Sequence, residues 1–190
     1  MQELIDQIAA KTKRPLLVAI DGRSGTGKST FTNQLERQIK CIVVRGDDFY
    51  SGGSLEEWNR RTPREEAELC IDWQRLKEKA LLPLLSGQKT EWHPFNWKTM
   101  QGFSNDIVCK NPRDIILLDG AYSTRPELLD LIDITVLITC REDLRRERLL
   151  QREGEEFVSE WHSVWNEAEK YYYSEVRTPD MFDLVVDTSN

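Results

Sequence analysis

Histidine and cysteine are scarce in this sequence, and the few that occur are scattered. The 190 residues include two histidines and four cysteines, and no two cysteines stand in a CxxC pair. Such spacing offers neither a zinc site nor a disulfide framework, so we expect free thiols in a reducing cytoplasm. No apolar run approaches the roughly 20 residues that cross a bilayer, and the first residues lack the apolar core of a signal peptide. Zinc-finger, disulfide-rich secreted and transmembrane classes are therefore disfavoured.

An excess of positive charge is also missing. The chain carries 26 basic and 33 acidic residues, which gives a net charge of −7. An acidic chain is a poor general ligand for nucleic acid or for anionic membranes. A composition of 39% hydrophobic and 31% charged residues is typical of a globular protein, and the length fits one domain over residues 1–190. We therefore expect a cytoplasmic protein with a small-molecule partner, no nucleic acid and no membrane, while the oligomeric state stays open.

Short apolar runs alternate with segments of helical spacing. The runs predict five buried strands, at residues 16–20, 41–44, 115–118, 134–139 and 183–187. The spacing predicts an opening helix around Leu4 and further helices at 29–39, 65–86 (kinked or divided at Pro83), from 141 onward, and at 155–176. A stripe of the last helix should face the core: Phe157, Trp161, Val164, Trp165, Ala168 and Tyr172. This alternation indicates a parallel sheet with helices on both faces.

Two segments do not fit the alternation. Residues 51–64 are rich in glycine and charge, which predicts a mobile loop. Residues 89–113 hold several aromatic side chains among polar ones, and we expect an excursion such as a β-ribbon on the acceptor side of the protein. Both would lie outside the central sheet.

A glycine-rich loop follows the first strand. Gly22 to Ser29 fits the pattern GxxxxGK[ST], with a predicted strand before it and a helix after it. Glycines let successive backbone N–H groups point at phosphate oxygens, while Lys28 reaches the outer phosphates and the Ser29 hydroxyl binds Mg²⁺. The candidate nucleotide-binding residues are Gly22, Arg23, Ser24, Gly25, Thr26, Gly27, Lys28, Ser29 and Thr30. The expected fold is thus an α/β P-loop NTPase, a three-layer sandwich with a five-stranded parallel sheet.

Acidic residues end three of the predicted strands, the first of them at Asp21. Asp119 ends the third strand, where a P-loop protein places the acid that holds Mg²⁺. Asp47 and Asp48 end the second strand beside the phosphate loop, where a carboxylate could accept the proton of an attacking hydroxyl group. Turn formation or helix capping would explain the same residues without chemistry.

Arginines share one face of the helix after the fourth strand. Arg141, Arg145, Arg148 and Arg152 are spaced by four, three and four residues. Their guanidinium groups could close over a nucleotide and stabilise charge on the transferring phosphoryl group, which predicts a lid over residues 141–153. The alternative is an exposed helix whose arginines pair with neighbouring acids.

Taken together, GRSGTGKST, GDDFY, LLDG and the arginine helix resemble the uridine kinase and phosphoribulokinase group, which also includes nicotinamide riboside kinase. The resemblance implies an ATP- and Mg²⁺-dependent kinase. It implies that Asp47 is the general base, that Tyr50 lies against the acceptor, and that Asp72 binds sugar hydroxyl groups. It also implies that Arg148 and Arg152 contact the nucleotide phosphates, with Lys28 and Arg148 assisting catalysis. Asp119 stands where uridine kinases usually carry glutamate.

The sequence departs from that group where uridine kinases read the pyrimidine. Their Tyr-Asp-Phe element, followed by histidine, corresponds here to Phe95–Met100, which lacks the tyrosine hydroxyl, the carboxylate and the histidine. Loss of hydrogen-bonding groups predicts loss of preference for a polar base. We therefore expect an acceptor site that includes Asp48, Tyr50, Asp72, Phe95 and Trp97, and a small nucleoside-like or ribosyl acceptor.

Three alternatives remain at this stage. A nucleoside-monophosphate kinase would share the loop and lid but would not need a base such as Asp47. A GTPase should carry an N/T-K-x-D element, which the sequence lacks. A non-catalytic nucleotide-binding regulator would not need both Asp47 and Asp119.

Overall fold

All five predicted strands occur in the computed structural model, which describes residues 1–189 but not the side chains of residues 156–163. The strands are β1 (Leu16–Asp21), β2 (Ile42–Arg45), β3 (Thr90–Trp92), β4 (Val108–Lys110), β5 (Ile115–Asp119), β6 (Ile134–Thr139) and β7 (Leu184–Asp187). Five of them form one sheet in the order β2-β5-β1-β6-β7, and every neighbouring pair is parallel. The predicted parallel sheet is confirmed.

Helices connect these strands, as the parallel pairing requires. They are α1 (Gln2–Ala10), α2 (Lys28–Gln38), α3 (Leu55–Trp58), α4 (Pro63–Leu69), α5 (Trp73–Leu76), α6 (Leu82–Leu85), α7 (Glu142–Glu153) and α8 (Glu155–Tyr171). A π-helical turn, Tyr172–Val176, extends α8 to the predicted end. None of the helices within residues 1–189 combines the length and apolar composition needed to cross a membrane.

The core lies in two layers, one on each face of the sheet. Neighbouring residues of β1 divide between them: Leu17 belongs to one cluster and Val18 to the other, and both are fully buried. The Val18 layer contains Leu4 of α1 and Leu35 of α2. The Leu17 layer includes side chains from α3 to α6 and α8. A sheet buried on both faces reads as continuous apolar runs, which explains why the strands were predictable.

The prediction for residues 51–64 needs correction. This segment contains α3 and the start of α4 rather than a loop alone. The Ser54 side chain accepts from the Glu57 N–H while Glu57 bonds back to Ser54, and Thr62 forms the same capping box with Glu65. Capping boxes satisfy the unpaired donors of a helix N-terminus. Trp58, at the end of α3, is fully buried and anchors the segment to the core.

The break in the helical region 65–86 lies at residues 70–72, upstream of the predicted position. Asp72 caps α5 by accepting from the Arg75 N–H at 2.9 Å. Helical structure then continues through a π-helical turn, Lys77–Leu81, into α6, where Pro83 occupies the first turn. Proline cannot donate a backbone hydrogen bond, and the wider turn directly before it is one way in which a helix accommodates that loss.

Three further predictions can be assessed. The excursion 89–113 forms the expected ribbon, since β3 and β4 pair antiparallel. In the predicted core stripe, Val164 and Ala168 of α8 and Tyr172 of the π-helical turn after it are buried, which confirms that part. The side chains of Phe157 and Trp161 lie outside the described residues. All four cysteines are free thiols, as predicted: Cys41, Cys70, Cys109 and Cys140.

Candidate functional site

The carboxyl ends of β1, β2 and β5 meet at one edge of the sheet and open into a cleft of about 770 Å³. Parallel register places Arg45 of β2 beside Asp119 of β5, and Ile20 of β1 on its other side. The cleft gathers most of the residues that the sequence singled out: Ser24, Gly25, Gly27, Lys28, Ser29, Thr30, Asp47, Asp119, Arg148 and Arg152. Ligands of open α/β sheets bind at this edge.

The glycine-rich loop curls around the Lys28 side chain. The Lys28 ammonium donates to the carbonyl oxygens of Gly22 and Arg23 at 2.6 and 3.0 Å. Gly25 has a positive φ of 82°, and a Cβ there would lie 2.9 Å from the Arg145 carbonyl oxygen. Backbone conformation and close packing against α7 therefore both require glycine at this position.

Two charged side chains from α7 and α8 hold the loop at Ser24. The Glu169 carboxylate accepts from the Ser24 N–H at 2.7 Å, and Arg145 donates to the Ser24 carbonyl oxygen at 3.1 Å. Arg23 turns away from the cleft lining and donates to Asn166 at 2.6 Å. Glu169 and Arg145 are both 1% exposed. The two helices beside the phosphate loop therefore fix its backbone at Ser24.

Asp47 lies in the single 3₁₀ turn that follows β2, Gly46–Phe49. Asp47 is exposed to the open cleft that its side chain borders, and the surrounding protein still removes part of the water around the carboxylate. Burial raises the pKa of Asp47, and the negative charges of Asp119 and Asp48 raise it further. The positive charges of Lys28 and Arg152 act in the opposite direction on this pKa. A carboxylate with a raised pKa is a better proton acceptor than an ordinary aspartate.

Asp48 points to the ribbon instead. Its carboxylate accepts from the Trp92 indole N–H at 2.9 Å, and its carbonyl oxygen accepts from the Phe95 N–H at 2.8 Å. Burial raises the pKa of Asp48, and the Trp92 hydrogen bond opposes that rise. Within the described part of the chain, Asp48 does not line the cleft, nor does it line a smaller pocket that adjoins the cleft. Asp48 therefore links the turn after β2 to the ribbon through these two hydrogen bonds.

Asp119 is buried at the end of β5 with one oxygen engaged and one without a partner. Arg45 forms an ion pair with Asp119 Oδ2. Asp119 Oδ1 has no hydrogen-bond partner among the described residues. Ser29 is exposed in the same cleft. An unpartnered carboxylate oxygen and a serine hydroxyl are oxygen ligands of the kind that Mg²⁺ prefers, so these residues fit a magnesium site.

The four arginines of the predicted lid face have different surroundings. Arg148 bonds the Thr188 carbonyl oxygen at 2.9 Å, and Arg148 and Arg152 both line the cleft. Arg145 is buried against the phosphate loop, and Arg141 is exposed and paired with Asp143. Helix α7 confirms the expected element, but only its second half reaches the cleft.

A second pocket, of about 180 Å³, adjoins the cleft. Aromatic rings form much of its wall: Tyr50 stacks on Trp97 with centroids 5.1 Å apart, and Trp165 meets Tyr50 edge-on at 6.0 Å. Its lining also contains Ser24, Asp47, Met100, Ala121, Tyr122, Arg152, Glu153 and Glu169. Asp47 and Arg152 border both cavities.

Besides Asp48, two more of the predicted acceptor residues lie outside this lining. Asp72 caps α5 and borders a different surface pocket on the far side of Tyr50. Phe95 is 3% exposed and packs edge-on against Tyr50 and Trp97, so it supports the aromatic wall from behind. Tyr50 and Trp97 occupy the wall directly.

Sequence reasoning missed three residues at the site: Arg45, Trp165 and Glu169. Arg45 and Asp119 each precede a glycine at a strand end, a shared pattern that could have suggested their pairing. Trp165 and Glu169 are four residues apart on α8, where the apolar spacing predicts only a core-facing stripe. The sequence does contain a signal for Glu169. A carboxylate beside a core-facing stripe becomes buried, and a buried acid needs a partner.

Solved structures resemble the whole chain. A possible uridine kinase from Bacillus stearothermophilus matches with a TM-score of 0.74 and 23% identity, covering 98% of this chain and 96% of its own. A putative fructose transport system kinase from Silicibacter matches with a TM-score of 0.69 and 20% identity, covering 97% of this chain and 96% of its own. At such identities the likeness establishes the fold alone.

Sequence comparison is more specific. No family model matches the chain. The uridine kinase of Lactiplantibacillus plantarum is 27% identical over 151 residues, which cover 77% of this chain and 71% of that protein. The uridine kinase of Halalkalibacterium halodurans is 32% identical over 148 residues, which cover 74% of this chain and 68% of that protein. With this identity, this coverage and the shared fold, the chain belongs to the uridine kinase family.

Proposed function

We propose that the protein is a kinase that transfers the γ-phosphoryl group of ATP to a hydroxyl group of a small nucleoside-like or ribosyl metabolite. Relatives named uridine kinase support phosphoryl transfer to a hydroxyl group of a nucleoside. ATP as the donor, the roles of individual residues and the nature of the acceptor belong to the proposal.

The position of Asp47 carries this proposal. Its side chain borders both the cleft with the phosphate loop and the pocket with the aromatic wall. An acceptor hydroxyl in the pocket would therefore approach a γ-phosphate in the cleft beside this carboxylate. With its raised pKa, Asp47 is suited to accept the hydroxyl proton as the new O–P bond forms.

Positive charge on the cleft side would stabilise the transferring phosphoryl group. Lys28, Arg148 and Arg152 all line the cleft, and fixed cations in a partly enclosed site lower the energy of a transition state with spread negative charge. Ser29 and the unpartnered Oδ1 of Asp119 would hold Mg²⁺, which supplies further charge neutralisation at the phosphates.

The pocket favours a flat ring attached to a hydroxyl-bearing group. Tyr50, Trp97 and Trp165 offer faces and edges for ring contact. Among the described residues, its lining contains no histidine, asparagine or glutamine side chain, and its charged side chains already have partners: Arg152 pairs with Glu153, and Glu169 accepts from the Ser24 N–H. Stacking without such pairing discriminates weakly between rings.

An acceptor screen by coupled ADP release tests the proposal. The screen covers nucleosides, nicotinamide riboside, pantothenate and sugar phosphates, each with ATP and Mg²⁺. We expect turnover with at least one hydroxyl acceptor and none with nucleoside monophosphates used as phosphate acceptors. Lys28→Ala should abolish turnover, because a cation at the outer phosphates is lost.

Asp47→Asn and Asp48→Asn form a matched pair in that assay. Asp47→Asn should lower turnover by about 10²–10⁴ while ATP affinity changes little, because the proton acceptor is lost. Asp48→Asn should stay close to the wild type, since an amide oxygen can still accept from Trp92. If only Asp48→Asn loses turnover, the general base is Asp48 and not Asp47. If none of the acceptor classes leads to ADP release, the protein is a nucleotide-binding regulator rather than a kinase.

A further inference from the structure

Arg45 and Asp119 are direct neighbours on adjacent strands. They are register partners in the parallel pairing of β2 with β5, so the backbone itself places their side chains together. Arg45 forms an ion pair with Asp119 Oδ2 and donates to Asn33 of α2 at 2.5 Å. The guanidinium is thus held between the phosphate-loop helix and the acid that fits Mg²⁺.

This pairing changes what Asp119 can offer a metal ion. One carboxylate oxygen is engaged by the positively charged guanidinium group of Arg45. Oδ1 is left as the available ligand. A divalent cation at Oδ1 would also lie close to the positive charge of Arg45, and two cations at short range repel each other.

We propose that Arg45 keeps the affinity of Asp119 for a free divalent cation low, so that the metal enters the site already bound to nucleotide phosphates. The phosphates bring enough negative charge to offset the repulsion, whereas Asp119 alone does not. Arg45 acts here as a positioning residue through Asp119. The inference rests on the proposed magnesium role of Asp119 and adds a control on when the metal binds.

Metal binding itself provides the test. Mn²⁺ is titrated into the nucleotide-free protein, and free Mn²⁺ is measured by electron paramagnetic resonance. Arg45→Gln should lower the Mn²⁺ dissociation constant about tenfold, because a repelling charge is removed and the second carboxylate oxygen is released. The gain should shrink when the titration is repeated with ADP. Arg45→Met should reproduce the gain if the Gln variant folds poorly.

Arg45→Lys is the matched control. It keeps the charge and should bind Mn²⁺ like the wild type. A simple loss of structure would weaken metal binding in every Arg45 variant, so the expected gain separates the two explanations. Unchanged or weaker binding in Arg45→Gln and Arg45→Met overturns the inference.

Asp119→Asn separates failure of the inference from failure of the proposed function. It should weaken Mn²⁺ binding in the presence of ADP, and adding it to Arg45→Gln should remove the gain without nucleotide. If Asp119→Asn weakens Mn²⁺ binding while Arg45→Gln has no effect, the proposed metal site is supported and the proposed role of Arg45 is wrong. If Asp119→Asn leaves metal binding unchanged, the proposed metal site itself is wrong, and the inference falls with it.

Discussion

The Glu169 carboxylate accepts a hydrogen bond at 2.7 Å from the backbone N–H of Ser24, within the phosphate loop. Glu169 lies on α8 and lines the aromatic pocket as well. Arg145 of α7 pairs with Glu169 at 3.5 Å and holds the carbonyl oxygen of Ser24. The loop that faces the nucleotide cleft is therefore fixed by the helix that forms one wall of the acceptor pocket.

Glu169→Ala should destabilise the protein and weaken nucleotide binding together. Removing one partner of a buried ion pair typically costs about 3–5 kcal/mol, because the other charge stays buried with less compensation. Glu142 still pairs with Arg145 and reduces that cost, so we expect a loss of about 3 kcal/mol in the free energy of unfolding. Urea unfolding and ATP titration would measure the two effects.

Glu167→Ala is the control on the same helix. Glu167 is exposed and pairs with Lys170 at the surface. Exposed substitutions of this kind change stability by at most about 0.5 kcal/mol. Equal effects of the two variants would show that Glu169 is not a special support of the phosphate loop.

The sheet and the cleft could be predicted from sequence because their signals are local. Continuous apolar runs such as 134–139 gave β6 with its bounds, and the phosphate loop combines a motif with its strand and helix context. Asp47, Lys28 and Asp119 were expected together because parallel strands end at one edge. The capping boxes at Ser54 and Thr62 are local signals too, but the glycines and charges around them predict a loop instead.

The missed contacts depend on tertiary register instead. Nothing in the sequence near Arg45 states that β2 pairs with β5 rather than β1, and the Arg45–Asp119 pair follows from that choice. The contact between Glu169 and Ser24 joins residues 145 positions apart. Asp72 is the reverse case: a local helix cap on Arg75 accounts for its carboxylate, while the acceptor contact that the family resemblance implies stays a prediction.

The pH dependence of turnover should report Asp47. Burial and the neighbouring carboxylates raise its pKa, so the proton-accepting form is lost at a higher pH than for an ordinary aspartate. We expect kcat/KM for the acceptor to fall on acidification with this raised pKa. Arg152→Gln removes a positive charge that lowers the pKa of Asp47. The acid limb of the profile should therefore shift to higher pH in this variant.

Arg141→Gln provides the comparison for that shift. Arg141 directly precedes the same helix, is exposed and pairs with Asp143. Its profile should match that of the wild type. An acid limb that stays in place in Arg152→Gln would show that the limb belongs to a group other than Asp47.

Trp97→Ala should weaken acceptor binding with little effect on stability. Trp97 is 49% exposed yet stacks on Tyr50 in the pocket wall. Loss of one stacking surface typically costs about 1–3 kcal/mol in ring binding, so we expect the KM for the acceptor to rise about tenfold or more. Phe103→Ala is the control, because Phe103 is similarly exposed but borders a different pocket. A comparable rise in KM for Phe103→Ala would indicate a general effect on the ribbon.

Uridine should be a weak substrate of this protein, and Met100 is the position from which selectivity can be restored. Uridine kinases resemble this chain but carry hydrogen-bonding groups where it has Phe95 and Met100. Met100 lines the pocket and has a φ of 55°, a conformation that histidine adopts more readily than methionine. Phe95 is packed behind the wall. Phe95→Tyr with Met100→His should therefore raise activity on uridine relative to other nucleosides, with Met100→His alone giving most of the gain. Strong, selective phosphorylation of uridine by the wild type would show that an apolar, aromatic wall is sufficient to select the pyrimidine.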